Sequence, residues 1–132
     1  MEDSAMAVAS DSDIVLARNQ GRVVALRLGF RPTDATLIAT AISELARNIL
    51  LYAGSGEIAI RPLERGKQVG LAVVARDSGP GIADPARAME DGYSTSGRLG
   101  LGLPGVRRLM DEFEIHTAAG QGTTVTVKKW IP

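Results

Sequence analysis

The clearest hydrophobic periodicity in the chain begins after Arg31-Pro32. Apolar residues recur there at spacings of three and four, the period of one face of an α-helix. The members of this stripe are Ile38, Ile42, Leu45, Ile49 and Tyr52. Thr33 or Asp34 can cap the first turn, and Gly54 or Gly56 can end the last. The pattern therefore predicts one long helix with a single apolar face.

Shorter apolar segments on both sides of this helix have the composition of β-strands. They predict two early strands, at 13–18 and 22–28, two strands joined by the turn Gly66-Lys67, at 57–61 and 68–76, and two final strands, at 113–117 and 123–130. Residues 1–12 are acidic and lack a strong pattern, so we expect a disordered N-terminal segment. Residues 13–132 are then expected to form one domain.

A long segment between positions 79 and 102 breaks the pattern with Gly, Pro, Ser, Thr and Asp. A loop of that length in a small domain is usually functional or disordered. A second amphipathic helix follows it, with Val106, Leu109, Met110 and Phe113 on its inner face. This order of elements predicts an α+β two-layer sandwich, in which a largely antiparallel or mixed sheet carries helices on one face.

Composition excludes several classes of function. The 132 residues include no cysteine, which excludes disulfides and thiolate metal sites. The 15 basic and 15 acidic residues cancel, and no basic run is present, so nucleic acid is not an expected partner. The longest apolar run, 71–75, is too short for a membrane span. A cytoplasmic protein without a membrane partner is the expectation.

The glycine-rich stretch at 100–105, GLGLPG, matches the pattern G-x-G-x-x-G. A dinucleotide fingerprint also needs a strand before it and an acidic residue about twenty positions later. Residues 94–99 and the region around position 120 supply neither. Glycines that enter a helix nevertheless expose unpaired N–H groups, which suit an anion. From this stretch alone, phosphate binding and a flexible linker that caps an ordinary helix both remain open.

Two further positions carry polar groups of chemical interest. Glu44 and Asn48 are four residues apart on the long helix, so they lie one above the other at the border of its apolar face. A carboxylate beside an amide oxygen suits a hydrated magnesium ion and a hydroxyl to be activated, although a solvated edge pair has the same spacing. Asp77 ends an apolar strand, where its carboxylate can accept a hydrogen bond from an exocyclic amine. Gly79 and Gly81 would let a flat ring approach the backbone, but an ordinary turn is the alternative.

The order of these motifs resembles that of the GHKL ATPases, which include the ATP-binding domains of gyrase B, Hsp90, histidine kinases and MutL. The four matching boxes are Glu44-x-x-x-Asn48, Asp77-x-Gly79-x-Gly81, Gly100-x-Gly102 and Gly120-x-Gly122-Thr123. Residues 31–58, 91–113 and Lys129-Trp130 further resemble the small kinases of bacterial sigma-factor regulation, above all the RsbT-type switch serine kinases. This resemblance implies the Bergerat fold with a long ATP lid.

The resemblance also implies ATP and Mg²⁺ as cofactors and a role for each matching residue. Glu44 would be the base that activates the acceptor hydroxyl, and Asn48 would coordinate the magnesium ion. The implied nucleotide contacts are Asp77 to the adenine amino group, Gly79, Gly81 and Ile82 along the adenine pocket, Gly100, Leu101 and Gly102 at the phosphates, and Thr123 behind the adenine.

Arg98 departs from the RsbT-type pattern, which usually has glycine at this position. Anti-sigma kinases such as SpoIIAB carry an arginine just before the lid glycines that reaches the γ-phosphate. Arg98 is therefore either a transition-state cation or an exposed lid residue.

The implied function is phosphorylation of a STAS-domain antagonist, after which the released kinase activates a PP2C-type phosphatase. The single histidine, His116, falls in a predicted late strand rather than on a dimerisation helix, so the acceptor should be a separate molecule. Two alternatives remain. The chain could be an anti-sigma factor kinase that sequesters a sigma factor directly, or a non-catalytic module that nucleotide clamps in one conformation.

Overall fold

The computed structural model describes residues 3–80 and 102–132 of the chain. Its elements in chain order are β1 (Ser4–Val8), α1 (Asp11–Leu28), α2 (Pro32–Ala53), β2 (Gly56–Arg65), β3 (Gln68–Asp77), α3 (Gly102–Leu109), β4 (Glu112–Thr117) and β5 (Thr123–Trp130). The long helix, the β2–β3 hairpin and the two final strands are those that the sequence predicts. The second amphipathic helix is shorter than its apolar pattern, because Phe113 belongs to β4.

The five strands form one sheet in the order β1-β2-β3-β5-β4. Every pairing among the described strands is antiparallel. Short hairpin turns join β2 to β3 and β4 to β5, and such turns require antiparallel neighbours. The predicted α+β two-layer fold is thus confirmed, and the expected mixed sheet is antiparallel throughout the described residues.

The core lies between one face of the sheet and helices α1, α2 and α3. Ile38, Ile42, Leu45 and Ile49 of α2 are at most 2% exposed. They share a single apolar cluster with alternate residues of the central strands, which are Ile58, Ile60, Leu71, Val73, Val125 and Val127. This burial fixes the height of α2 above the sheet, and so it also fixes where the polar residues of α2 lie.

The two predicted early strands are wrong, because residues 11–28 form helix α1. Four apolar side chains on the outer surface of this helix are more than a third exposed, namely Val15, Leu16, Val23 and Leu26. Apolar residues on both sides of a helix obscure its period in the sequence. Gly21, between the two predicted strands, lies where α1 meets α2: a Cβ there would be 2.1 Å from Ile42 Cδ1. The glycine therefore permits close helix packing.

The expected disorder of the N-terminal segment is also wrong for residues 4–8, which form the edge strand β1. Ser4 to Val8 pair with Ile60 to Gly56 of β2, and Val8 is fully buried. A terminus is ordered when a sheet binds it in this way. In the described part of the chain, no helix combines the length and apolar character that a bilayer crossing requires.

Candidate functional site

An open pocket lies between α2 and the ends of β3 and β5. Four of its lining residues come from α2 and form what we call the helix wall: Leu45, Asn48, Ile49 and Tyr52. Four come from β3 and β5 and form the sheet wall: Ala75, Asp77, Thr123 and Val125. Leu103 of α3 completes the lining.

The helix wall places one amide among apolar side chains. Asn48 follows Leu45 by three residues and precedes Tyr52 by four, so all three project from the same side of α2. The Nδ2 atom of Asn48 is buried and has no hydrogen-bond partner in the described structure. Leaving a buried donor unpaired costs about 1–3 kcal/mol. Among the residues that the structure describes, Asn48 therefore has a buried donor without an acceptor.

The sheet wall, in contrast, presents polar groups that are already paired. Asp77 and Thr123 are register partners on adjacent strands, as are Ala75 and Val125 two residues further along. The Asp77 Oδ1 atom accepts a hydrogen bond from the Gly79 N–H at 3.0 Å. The Thr123 hydroxyl, in a residue only 8% exposed, lies 2.8 Å from the Thr117 hydroxyl. These contacts fix both side chains before any ligand arrives.

Two glycines allow the backbone segments around the sheet wall to approach one another closely. Gly122 has a φ of 78°, and a Cβ at this position would lie 2.3 Å from the Asp77 carbonyl oxygen. A Cβ on Gly79 would lie 2.5 Å from the Ala53 Cβ at the end of α2. Larger residues would push these segments apart, so both glycines determine the shape of the pocket.

Glu44 lies one turn before Asn48 on α2 and is 8% exposed. It is not among the residues that line the pocket. Its Oε1 atom forms an ion pair at 2.5 Å with the guanidinium of Arg47. The carboxylate is therefore close to the helix wall, held by a cation on the same helix.

The structure brings together three of the predicted site residues, Asn48, Asp77 and Thr123, in one pocket. Gly79 hydrogen-bonds Asp77, and Gly102 begins α3 with a φ of 61°. The remaining predicted residues lie outside the described residues: Gly81, Ile82, Arg98, Gly100 and Leu101.

Sequence reasoning missed the apolar lining of the pocket and the partner of Glu44. Leu45, Ile49 and Val125 have the spacing of core residues, and nothing in that spacing separates a pocket wall from a closed core. Arg47 belongs to none of the sequence motifs, although its spacing of three residues from Glu44 suits an ion pair.

The described residues contain no group of three or more His, Asp or Glu side chains that could hold a metal ion. A divalent cation at this site would thus need other ligands in addition to the described side chains. Mg²⁺ commonly binds in that way, through one or two protein groups, phosphate oxygens and water.

Comparison with known proteins adds to this geometry. Residues 8–129 match the family of histidine kinase-like ATPase domains. The chain is 54% identical over 131 residues to the serine/threonine-protein kinase RsbT of Bacillus subtilis (strain 168), and the match covers 98% of each chain. It is 32% identical over 100 residues to the anti-sigma F factor of Thermoanaerobacter sp. (strain X514), covering 71% of this chain and 68% of that protein.

Solved structures show the same fold at lower identity. The RsbU and RsbW domains of a Mycobacterium tuberculosis protein align with a TM-score of 0.64 and 22% identity, covering all of this chain and 34% of that one. The present chain thus spans about a third of that structure. The catalytic domain of the histidine kinase ThkA aligns with a TM-score of 0.55 and 16% identity, covering 99% of this chain and 97% of that one.

Proposed function

This chain belongs to the family of histidine kinase-like ATPase domains, and on that premise we propose that it is an ATP-dependent protein serine/threonine kinase. The proposal draws on the high identity to a named serine/threonine-protein kinase over nearly the whole chain. The structural observation that carries it is the unpaired Asn48 amide, which lines a pocket with Asp77 and Thr123.

These residues suit an adenine nucleotide with magnesium. The two paired polar groups of the sheet wall lie at the same register position of adjacent strands, and apolar side chains surround them. An aromatic base needs such a site, with a few fixed polar groups in an apolar pocket. The unpaired Nδ2 donor of Asn48 needs an acceptor, which a phosphate oxygen would supply, and the Oδ1 atom of the same amide can coordinate a magnesium ion. The described residues therefore fit ATP and Mg²⁺.

In the proposed complex, Asp77 accepts a hydrogen bond from the adenine amino group, and Thr123 supports the ring from β5. Gly79, with Gly81 and Ile82, completes the adenine pocket. The phosphates are held by Gly100, Leu101, Gly102 and Arg98. Asn48 is the one magnesium ligand that we assign to the protein.

The proposed chemistry is transfer of the γ-phosphoryl group to a protein hydroxyl. Glu44 accepts the proton of that hydroxyl while the hydroxyl oxygen bonds to the γ-phosphorus of ATP. The bond between the γ-phosphorus and the oxygen that bridges it to the β-phosphate breaks in the same step. ATP supplies the phosphoryl group and leaves as ADP. The Glu44 side chain is only 11% exposed, so it is largely shielded from bulk water, which suits it to accept the proton of a docked hydroxyl.

We assign the acceptor to a STAS-domain antagonist. A phosphate added at the docking surface brings about −1.5 to −2 charges, which repel nearby acids and are costly to desolvate. The modified antagonist would thus release the kinase, which then activates a PP2C-type phosphatase. The second candidate, an anti-sigma factor kinase that holds a sigma factor, is favoured by the 32% identity to an anti-sigma F factor.

The test is phosphotransfer from γ-labelled ATP, with Mg²⁺, to a STAS-domain protein encoded beside this chain. We expect Glu44→Gln to lower the rate by about 10²–10⁴-fold, the usual contribution of a general base. Glu64→Gln is the matched control, because Glu64 is exposed at the distant end of β2. Wild-type protein that labels no acceptor, or Glu44→Gln at the wild-type rate, would refute the proposed mechanism.

Affinity capture with the purified chain separates the two partner assignments. We expect to recover the STAS-domain protein and the phosphatase. Recovery of a sigma factor without either of them would instead support the anti-sigma assignment.

A further inference from the structure

The ion pair between Glu44 and Arg47 differs from the surface pairs elsewhere in the described structure. Its two side chains are 11% and 34% exposed, respectively, with a separation of 2.5 Å. The pair between Asp3 and Arg61, by contrast, joins side chains that are 66% and 51% exposed across 3.6 Å. Exposed pairs contribute little, whereas a carboxylate removed from water depends on its partner. Arg47 thus matters to Glu44 more than a surface cation would.

The position of the pair links it to the pocket. Arg47 immediately precedes Asn48, and Glu44 immediately precedes Leu45, so each charged residue is the chain neighbour of a residue in the helix wall. Both charged side chains project from the same turn of a helix whose inner face is fixed by the core. The carboxylate therefore occupies a defined place relative to the Asn48 amide.

The contact itself leaves part of the carboxylate available. The guanidinium NH1 atom contacts Oε1 of Glu44. A carboxylate has two oxygens and about four acceptor sites, so one arginine contact occupies only part of its hydrogen-bonding capacity. Guanidinium groups stay protonated and present a rigid planar set of donors, which restrains the rotation of the acid that they bind.

We infer that Arg47 is a positioning residue, which holds the Glu44 carboxylate by Oε1 so that the carboxylate can receive the proton of the acceptor hydroxyl. The inference rests on the proposed role of Glu44 as the base. Without Arg47 the carboxylate would lose its restraint and rotate among several conformers. Catalysis is sensitive to such displacement, since an error of about 1 Å can cost about 100-fold in rate.

The experiment is single-turnover phosphotransfer by wild type, Arg47→Ala, Arg47→Lys, Glu44→Gln and the double variant Glu44→Gln/Arg47→Ala. We expect Arg47→Ala to lower the rate by about 10- to 100-fold. Its affinity for a fluorescent ATP analogue should stay within about twofold of wild type, because Arg47 does not line the pocket. Arg47→Lys should restore part of the rate. In the Glu44→Gln background, loss of Arg47 should have no further effect, because the two residues act as one unit.

Arg61→Ala is the control for loss of an ion-paired arginine, and thermal unfolding of each variant checks the fold. Arg47→Ala at the wild-type rate would overturn the inference while leaving Glu44 as the base. The inference would also be overturned if Arg47→Ala lowered the rate of Glu44→Gln by the same factor as it lowers the wild-type rate, or if Arg47→Ala lost nucleotide affinity. In either case Arg47 would act independently of Glu44. A wild-type protein without phosphotransfer would refute the proposed function and this inference together.

Discussion

The two walls of the pocket differ in how their polar groups are satisfied. On the sheet wall, Asp77 and Thr123 are fixed by hydrogen bonds to Gly79 and Thr117. On the helix wall, the Nδ2 atom of Asn48 is buried and has no partner among the described residues. In the part of the chain that the structure describes, the polar groups of the sheet wall are therefore paired, whereas the helix wall has a donor without an acceptor.

This difference separates two tasks. A wall whose polar groups are already fixed can recognise a flat ligand at little further cost in conformational entropy. A wall with an unpaired group loses stability until a ligand arrives, which is common where chemistry takes place. We therefore expect changes to the sheet wall to weaken nucleotide binding or folding, and changes to the helix wall to slow phosphotransfer.

The sharpest test of the helix wall is Asn48→Leu. Replacing an unpaired buried amide with an apolar group of similar size removes a penalty of about 1–3 kcal/mol, so the nucleotide-free protein should gain about 1 kcal/mol in its free energy of unfolding. The same variant should lose about 100-fold or more in the rate of magnesium-dependent phosphotransfer. Denaturant unfolding and the phosphotransfer assay measure the two effects. Asn19→Leu, at an exposed position of α1, is the control.

A loss of stability in Asn48→Leu would show that the amide has a partner in solution. A normal phosphotransfer rate would show that Asn48 does not serve the cation. Either result would remove the proposed difference between the walls.

The sheet wall depends on the close approach of Gly122 to Asp77. Gly122→Ala would place a Cβ 2.3 Å from the Asp77 carbonyl oxygen at a backbone φ of 78°. The conformational cost is about 1–2 kcal/mol, and the steric clash adds about 1–3 kcal/mol. We expect a loss of about 2–5 kcal/mol in the free energy of unfolding, measured by denaturant titration.

Gly120→Ala separates these two costs. Gly120 has a φ of 79°, but a Cβ at this position would have no neighbouring atom within 4 Å. It should therefore show the conformational cost alone. Equal losses for the two variants would mean that the strand end relaxes and that the sheet wall is less rigid than proposed.

The same contrast between regions explains which elements the sequence predicts correctly. Helix α2 buries one face, and its apolar stripe has a clear helical period. Helix α1 carries exposed apolar residues such as Leu16, at 63% exposure, opposite its buried face. That second set of apolar positions makes the segment resemble strands. The hydrophobic pattern thus predicts a helix correctly when only its buried face is apolar. The same pattern misleads when further apolar residues lie on the exposed face of the helix.

The site is predictable to a similar extent. Ordered motifs identify Asn48, Asp77 and Thr123, and these residues do meet in one pocket. Their meeting depends on the strand register that pairs Asp77 with Thr123, which no local motif specifies. The contact between Arg47 and Glu44 is compatible with the helical spacing, but its burial is a property of the fold alone.

Asp77→Asn tests recognition by the sheet wall. The substitution keeps the shape of the side chain but replaces one acceptor oxygen with a donor, which cannot accept a hydrogen bond from the adenine amino group. Losing a hydrogen bond to a charged group costs about 1.5–3 kcal/mol, so ATP affinity should fall about 10- to 100-fold. The rate at saturating ATP should change by less than about twofold, since the lost contact does not involve the reacting groups.

Calorimetric titration with ATP measures this affinity, and Asp11→Asn controls for loss of an exposed negative charge. Unchanged affinity would remove Asp77 from the adenine site. A slower rate at saturation would assign the sheet wall a part in the chemistry.

The smallest expected effect is that of Thr123→Val. Valine keeps the shape and the β-branched backbone preference of threonine but removes the hydroxyl that lies 2.8 Å from the Thr117 hydroxyl. The Thr117 hydroxyl also donates to the Gly122 carbonyl oxygen at 3.2 Å, so it keeps a partner after the change. The free energy of ATP binding should therefore weaken by only about 1 kcal/mol, which corresponds to about fivefold lower affinity.

Thr126→Val is the control for the Thr123 variant, because Thr126 lies on the same strand three residues later and faces the other side of the sheet. If both variants bind ATP equally well, the Thr123 hydroxyl has no part in recognition, and the apolar body of the residue is what supports the adenine ring. A loss confined to Thr123→Val would instead mean that the hydrogen bond to β4 keeps the sheet wall in the geometry that the nucleotide requires.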